Sequence, residues 1–236
     1  MSAWVYGDRV PAHVRRIAEL AEARLAGVGD GVVVAVGADD PLLAARLPDG
    51  PRVVVPAMAG RRPSPVAQAL LAGAAATRLV DPCEAASLRS ALRGPVVVAG
   101  VPAPPERDGA GGLTAGPSGA RLLALWRATV GEPPRAGAAV TWVGGPAAIA
   151  EAAEAWARGD AVVTLPGAPR HEMLLAGGAL VARSSLEAIE ATRLLLGARP
   201  LAHELARRGR RQLAELDPVD AVVARFAEAI ALAESA

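Results

Sequence analysis

Short valine-rich runs recur along the chain, and each is followed by a longer stretch whose apolar residues keep a helical spacing. The runs are Ala3–Tyr6, Val32–Val36, Val53–Val55, Val96–Ala99, Val140–Val143, Val162–Leu165 and Leu180–Ala182. Their apolar residues are consecutive rather than alternating, the pattern of strands buried on both faces of a parallel sheet. Between the runs, Ala12–Ala26 sets Val14, Ile17, Ala18, Ala21 and Leu25 on one stripe and keeps Arg15, Arg16, Glu19 and Glu22 off it. Pro65–Thr77, Glu84–Leu92, Ala147–Arg158 and Ser185–Leu196 behave similarly. Strands alternating with helices predict an α/β doubly wound architecture built on parallel sheets.

One segment breaks the pattern. Pro102–Gly119 has prolines towards both ends, glycines in the middle and almost no periodic apolar residues, so it reads as a linker. It divides the chain into an N-terminal Rossmann-like domain over 1–105 and a C-terminal one over 106–236; the alternative is a long surface loop within one domain. Beyond Ala182 the pattern becomes wholly helical. Ser185–Leu196, Leu201–Leu213 and Val219–Ala233 follow one another, with Pro200 and Pro218 where helices begin.

A length of 236 residues suits one large domain or two small ones. With 52% hydrophobic residues and a net charge of +1, the chain is neither disordered nor built mainly to grip nucleic acid. A single cysteine, Cys83, excludes an internal disulfide framework and a multi-cysteine zinc site. All 25 basic residues are arginine, so neither the lysine of a P-loop nor a Schiff-base amine can be supplied. The N-terminus shows no signal peptide, and apolar runs such as Met173–Ala182 fall short of the ~20 residues of a membrane helix. The expectation is a soluble, cytoplasmic protein with no membrane span.

Ligands of open α/β sheets bind beyond the carboxyl ends of the strands, which directs the search for chemistry to those loops. After Val140–Val143 come Gly144 and Gly145 and then a helix, so backbone N–H groups and the helix dipole make an uncharged anion cradle. The same glycines also serve a tight turn. After Val162–Leu165, the loop from Gly167 brings Arg170, His171 and Glu172 to a strand end. Arg170 suits a bidentate phosphate contact, and His171 or Glu172 suits hydroxyls; the alternative is a helix start with Glu172 serving its dipole. Leu175 stands where a zinc protease would need its second histidine, so no metal is expected. His13 enters the first helix beyond Gly7-Asp8-Arg9, facing a cleft or partly buried. Ser118 lacks a nucleophile elbow, and Cys83 reads as a small buried residue at a helix start. The run Arg207-Arg208-Gly209-Arg210-Arg211 lacks interleaved aromatics and reads as a solvated helix face.

From Glu154 onward the sequence resembles a known family. Glu154-Ala155-Trp156-Ala157-Arg158-Gly159-Asp160-Ala161-Val162-Val163 is similar to the Glu-Ala-x-Ala-x-Gly-x-x-Val-Val segment of retaining GT-B glycosyltransferases. The order continues with the Gly167 loop, Glu172 five residues before Gly177, then Leu180-Val181 and a helix from Leu186. Leu194–Arg211 resembles the family's penultimate helix and Asp217–Ala233 the closing helix that packs back across the domains; Gly7 to Leu20 resembles its glycine loop and first helix. The resemblance implies two Rossmann-like domains facing a cleft, a nucleotide-diphosphate sugar as donor and no metal or other cofactor. It further implies that Glu154 binds the donor ribose, that Gly167–Glu172 line the diphosphate and sugar, and that His13 sits by the donor sugar and acceptor. Three positions depart from the pattern: Pro146 stands where a second glutamate is usual, Asp8 replaces a glycine, and Glu132 replaces a diphosphate-binding arginine, with Arg135 in place of the lysine. The expected function is therefore sugar transfer from a nucleotide-diphosphate sugar to an acceptor. The alternative is a non-catalytic relative that binds nucleotide or sugar, or partners an active enzyme. The long alanine-rich helices offer a surface for a homo- or hetero-oligomer.

Overall fold

The computed structural model describes residues 3–7, 10–21, 24–25, 31–38, 41–56, 62–79, 82–107, 109, 111–116, 119–144, 148–166 and 177–236. They fall into two compact units, Met1–Val101 with Val219–Ala236, and Pro102–Pro218. The last helix thus groups with the first sheet, whereas the sequence boundary places it in the second half.

In the first unit the described strands are β1 (Ala3–Tyr6), β2 (Arg24–Leu25), β3 (Val32–Val36), β4 (Arg52–Val55), β5 (Ala76–Leu79) and β6 (Val96–Val98). They form one parallel sheet in the order β2-β1-β3-β4-β5-β6. The register places Val5 beside Val34, Val34 beside Val53 and Val53 beside Ala76. All five side chains of β3 are buried, because helices cover both faces. On one face Val32, Val34 and Val36 pack with Val14 and Ile17 of α1 (Ala12–Leu20) and with Val222, Phe226 and Ile230 of the C-terminal helix (Val219–Glu234). On the other, Ala35 and Val54 pack with Leu43 of α2 (Pro41–Arg46), Leu71 of α3 (Pro65–Ala72) and Leu88 of α4 (Pro82–Leu88). Each fully buried valine contributes on the order of 1.5 kcal/mol, so the consecutive apolar pattern is what a two-sided sheet requires.

Two expectations change here. The helix expected over Pro65–Thr77 stops at Ala72, where Gly73 ends it, and Ala76–Leu79 becomes a strand. Alanine, threonine and arginine gave that strand no valine signal; its place is set by pairing with β4 and β6. The stripe over Ala12–Ala26 likewise yields a helix only to Leu20, followed by the two-residue β2.

The second unit has β7 (Gly112–Ala115), α5 (Ala120–Thr129), β8 (Ala139–Val143), α6 (Ala148–Ala157), β9 (Ala161–Thr164), β10 (Ala179–Val181), α7 (Ser185–Gly197) and α8 (Arg199–Leu216); the C-terminal helix of the first unit is then α9. Its four described strands are parallel, in the order β10-β9-β8-β7. β7 lies inside the expected linker Pro102–Gly119. It is entered through Gly111 and Gly112, both at positive φ (75° and 82°), and a Cβ on Gly112 would sit 2.8 Å from Arg135 Cα. One leucine between such residues carries no strand signal.

Each face of this sheet has one anchoring indole. Trp142 of β8 is fully buried; its Nε1 donates to Thr192 Oγ1 of α7 at 2.6 Å, and Trp126 of α5 meets it edge-on at 5.7 Å. Trp156 of α6 donates to the Gly178 carbonyl at 3.0 Å, and its ring lies on Gly209 of α8. Between the strands runs a buried polar chain. Thr141 Oγ1 donates to Asp160 Oδ2 at 2.8 Å, leaving Thr114 as the donor in their 2.7 Å contact. Arg158 holds the same carboxylate oxygen through Nε at 3.0 Å and Nη2 at 2.8 Å. The Thr114–Thr141 bond ties β7 to β8, and the Thr141–Asp160 bond ties β8 to the turn that opens β9, which helps fix their register.

Gly209→Ala tests the indole contact. A mid-helix glycine replaced by alanine ordinarily gains up to about 1 kcal/mol. Here the new methyl would meet the Trp156 ring, so we expect a net loss of about 1–2 kcal/mol in urea unfolding. A gain in stability would contradict the packing described.

Candidate functional site

In the first unit the carboxyl edge of the sheet begins at Gly7, directly after β1. A Cβ there would lie 2.6 Å from the Val36 carbonyl, so only glycine lets the loop pass so close to the end of β3. His13 is the second residue of α1 and only 7% exposed. Burial, and then the Arg78 guanidinium, push its pKa from 6.5 down to about 3, so the imidazole is neutral at pH 7. So weak a base is suited to holding a hydroxyl by a hydrogen bond rather than to removing its proton. Arg78 lies in β5 with no exposed surface and donates from Nη2 to the Gly100 carbonyl at 2.6 Å. Gly100, at φ 72°, turns the chain after β6. The structure therefore brings His13 into electrostatic contact with a buried arginine that sequence reading did not single out.

In the second unit the corresponding edge has a glycine floor. Gly116 follows β7, donates its N–H to the Trp142 carbonyl at 2.9 Å, and packs against the Glu151 carboxylate. Gly119 is the N-cap of α5 and presses so closely on the Trp142 carbonyl that no side chain fits. No acidic residue lies in the first turn of α5, and no side chain caps it, which leaves its N-terminal dipole uncompensated. Exposed Arg121 stands in that turn; exposed Arg183 lies two residues beyond β10, at the opposite edge of the sheet from β7. Gly144, half-buried, follows β8. Glycine backbone, a helix N-terminus and the Arg121 guanidinium are the elements of a phosphate cradle.

Other residues expected at this site lie elsewhere. Glu154 is the seventh residue of α6, about 9 Å along the helix from its start at the carboxyl edge. Its Oε2 pairs with Arg107 at 3.4 Å, and the Arg107 N–H bonds the Ala157 carbonyl at the far end of α6. Arg135 is exposed on the connection from α5 to β8, at the amino edge, where Leu113 N–H meets the Pro134 carbonyl at 2.9 Å. Neither is brought together with Gly144. Gly145, Gly167, Arg170, His171 and Glu172 lie outside the described residues, as do Asp8, Pro146 and Ser118. Arg121 and Glu151 were missed because their relevance depends on which helix turn meets the edge. Among the described residues no group of three or more His, Cys, Asp or Glu side chains is placed to hold a metal, and no helix is long and apolar enough to cross a membrane.

No protein-family model matches the chain, and no curated protein matches it by sequence. Solved structures do match by fold. Sucrose-phosphate synthase from Thermosynechococcus elongatus superposes with a TM-score of 0.55 at 11% identity, over 84% of this chain and 72% of that one. TarM gives 0.54 at 6% identity, over 86% of this chain and 56% of that one. With two parallel-sheet units and a helical C-terminus, the chain has a GT-B-like fold.

The buried imidazole sets a pH dependence. His13 has its folded pKa depressed, so its contribution is complete above pH 6.5 and is lost as pH falls towards 3. In that window the unfolded chain takes up a proton that the folded chain refuses, at about 1.4 kcal/mol per pH unit. Urea unfolding of His13→Gln between pH 7 and pH 4 should show a slope shallower by up to that amount. Equal slopes in the two proteins would contradict the burial of a neutral histidine.

Proposed function

We propose that the chain is a glycosyltransferase-like protein that takes a nucleotide-diphosphate sugar at the carboxyl edge of the second sheet and passes the sugar to an acceptor. The observation that carries this is the open α5 N-terminus with Arg121 beside it. Gly116 and Gly119, whose own N–H groups are bonded to the Trp142 and Gly116 carbonyls, shape the floor, and the first turn of α5 supplies the amides. A diphosphate needs amides and guanidinium groups, and a chain without lysine must use arginine. Glu151, at the same edge, is a carboxylate placed for the two hydroxyls of a ribose. The GT-B-like fold supports the reading, since one structure sharing it is by name the synthase of a sugar phosphate. Taken by itself, neutral His13 of the first unit is suited to hydrogen-bonding a hydroxyl without competing for its proton.

A second reading has its own observation. Glu154, the residue that carries the sequence resemblance, is engaged by Arg107, and this favours a non-catalytic relative that keeps the fold and binds nucleotide without turnover.

Melting temperature against a panel of nucleoside diphosphates and nucleotide sugars tests the binding common to both readings. A ligand at a hundredfold its Kd adds about 2.7 kcal/mol, a rise of about 5–10 °C for a chain of this size. We expect one base to give such a rise, and Arg121→Ala and Glu151→Ala each to weaken it about tenfold or more. Undiminished binding in Glu154→Ala would place the ribose on Glu151. Turnover of that donor by the purified chain separates enzyme from non-catalytic relative, and a flat panel would contradict both.

A further inference from the structure

Opposite the cradle, at the amino edge of the second sheet, lies a cleft of about 850 Å³ that the proposed function does not use. Its floor is the starts of β7, β8 and β9, through Gly111, Gly137 and Gly159. Five arginines line it: Arg107, Arg158, Arg199, Arg207 and Arg210. Among the described residues the lining holds two carboxylates, and Glu154 and Asp160 pair with Arg107 and Arg158 from outside it, so Arg199 alone of the five has no ion pair. Glu106 pairs with Arg210, and Glu204 pairs with Arg207 at 2.5 Å.

We propose that this cleft is a second anion site, built for a phosphorylated small molecule and separate from the carboxyl-edge cradle. Each guanidinium has five N–H donors in a planar fork, and a single carboxylate occupies at most two of them. Arg158 is fixed by its two bonds to Asp160, so it is preorganised rather than floppy. Arg199 makes no ion pair among the described residues; its Nε donates to His203 Nε2 at 3.3 Å, which draws an imidazole to the mouth of the cleft. Arg199 stands in the first turn of α8, which has no acidic residue and no capping side chain, so the helix dipole adds to the positive field there; His203 stands one turn on, beside Glu204.

The arginine run reads differently in this light. Arg207 and Arg210, three apart, face the cleft, while Arg208 turns to Glu204 at 3.9 Å and Gly209 is buried under Trp156. It is therefore a one-sided device rather than a uniformly solvated face. The volume suits a small molecule. A single-stranded nucleic acid would need stacking platforms, and of the rings among the described lining residues Trp156 is buried against Gly209 and His203 is engaged by Arg199.

The test is calorimetric titration of the full chain with inorganic pyrophosphate, at ionic strength held constant with sodium chloride. Saturable binding at two sites is expected: Arg199→Gln/Arg207→Gln weakens one of them at least tenfold and leaves the other, and Arg121→Ala weakens only that other one. Both substituted side chains are exposed, and Arg199→Lys/Arg207→Lys, which keeps the charges, should recover much of the affinity; a loss in the glutamine pair that the lysine pair does not recover would overturn a charge-based site. Loss of all binding in Arg121→Ala alone would assign the anion to the carboxyl edge and overturn the proposal. Heat that follows ionic strength alike in every protein would overturn it as well.

Discussion

Val32 to Val36 bury every side chain between two layers of helix, and Val140 to Val143 do the same in the second sheet. That double covering governs the rest of the molecule. A parallel sheet covered on both faces has no place for solvated polar groups except its two ends. Buried polar groups there need partners, as Thr141 and Asp160 find in each other, in Thr114 and in Arg158. Ligand chemistry is consequently confined to the carboxyl and amino edges, and the residues found there decide what each edge can hold.

The two edges of the second sheet are built from different materials. At the carboxyl edge, glycines let Gly116 and Gly119 approach the Trp142 carbonyl, so the floor is backbone and Arg121 stands at its rim. At the amino edge the floor is again glycine, but arginines of α8 and of the turn before β9 project around it. Backbone amides suit a ligand held closely in one orientation, whereas a ring of guanidinium groups suits charge recognition. The contact of Trp156 with Gly209 connects them mechanically: it seats α8 against α6, and these helices contribute the walls of the amino-edge cleft while α6 begins at the cradle.

The architecture was legible wherever valine supplied the signal. The seven valine-rich runs all become strands, and the closing helices begin within two residues of their expected starts. Three strands were not legible: the two-residue Arg24–Leu25 lay inside the stripe read as a helix, and two others carried no valine signal. Ala76-Thr77-Arg78-Leu79 has no β-branched run, and Gly112-Leu113-Thr114-Ala115 sits among turn residues; both are strands because their neighbours offer unpaired backbone. The site was less legible than the fold. Gly144 could be read from a glycine after a strand, but Arg121 and Glu151 matter only because their helix turns meet the carboxyl edge. Burial of Arg78 depends on the Gly100 carbonyl, 22 residues away, which no local pattern reveals. Glu154 shows the converse: its local sequence carries the resemblance, yet its carboxylate is turned to Arg107.

Amide hydrogen exchange of the full chain, with and without the nucleoside diphosphate that gives the largest melting shift, tests the central claim most directly. The account predicts protection concentrated at Ala120–Leu122, the first turn of α5, where the backbone amides of the cradle stand. Protection confined instead to Gly111, Gly137 and the first turns of α8 would place the nucleotide at the amino edge and contradict it.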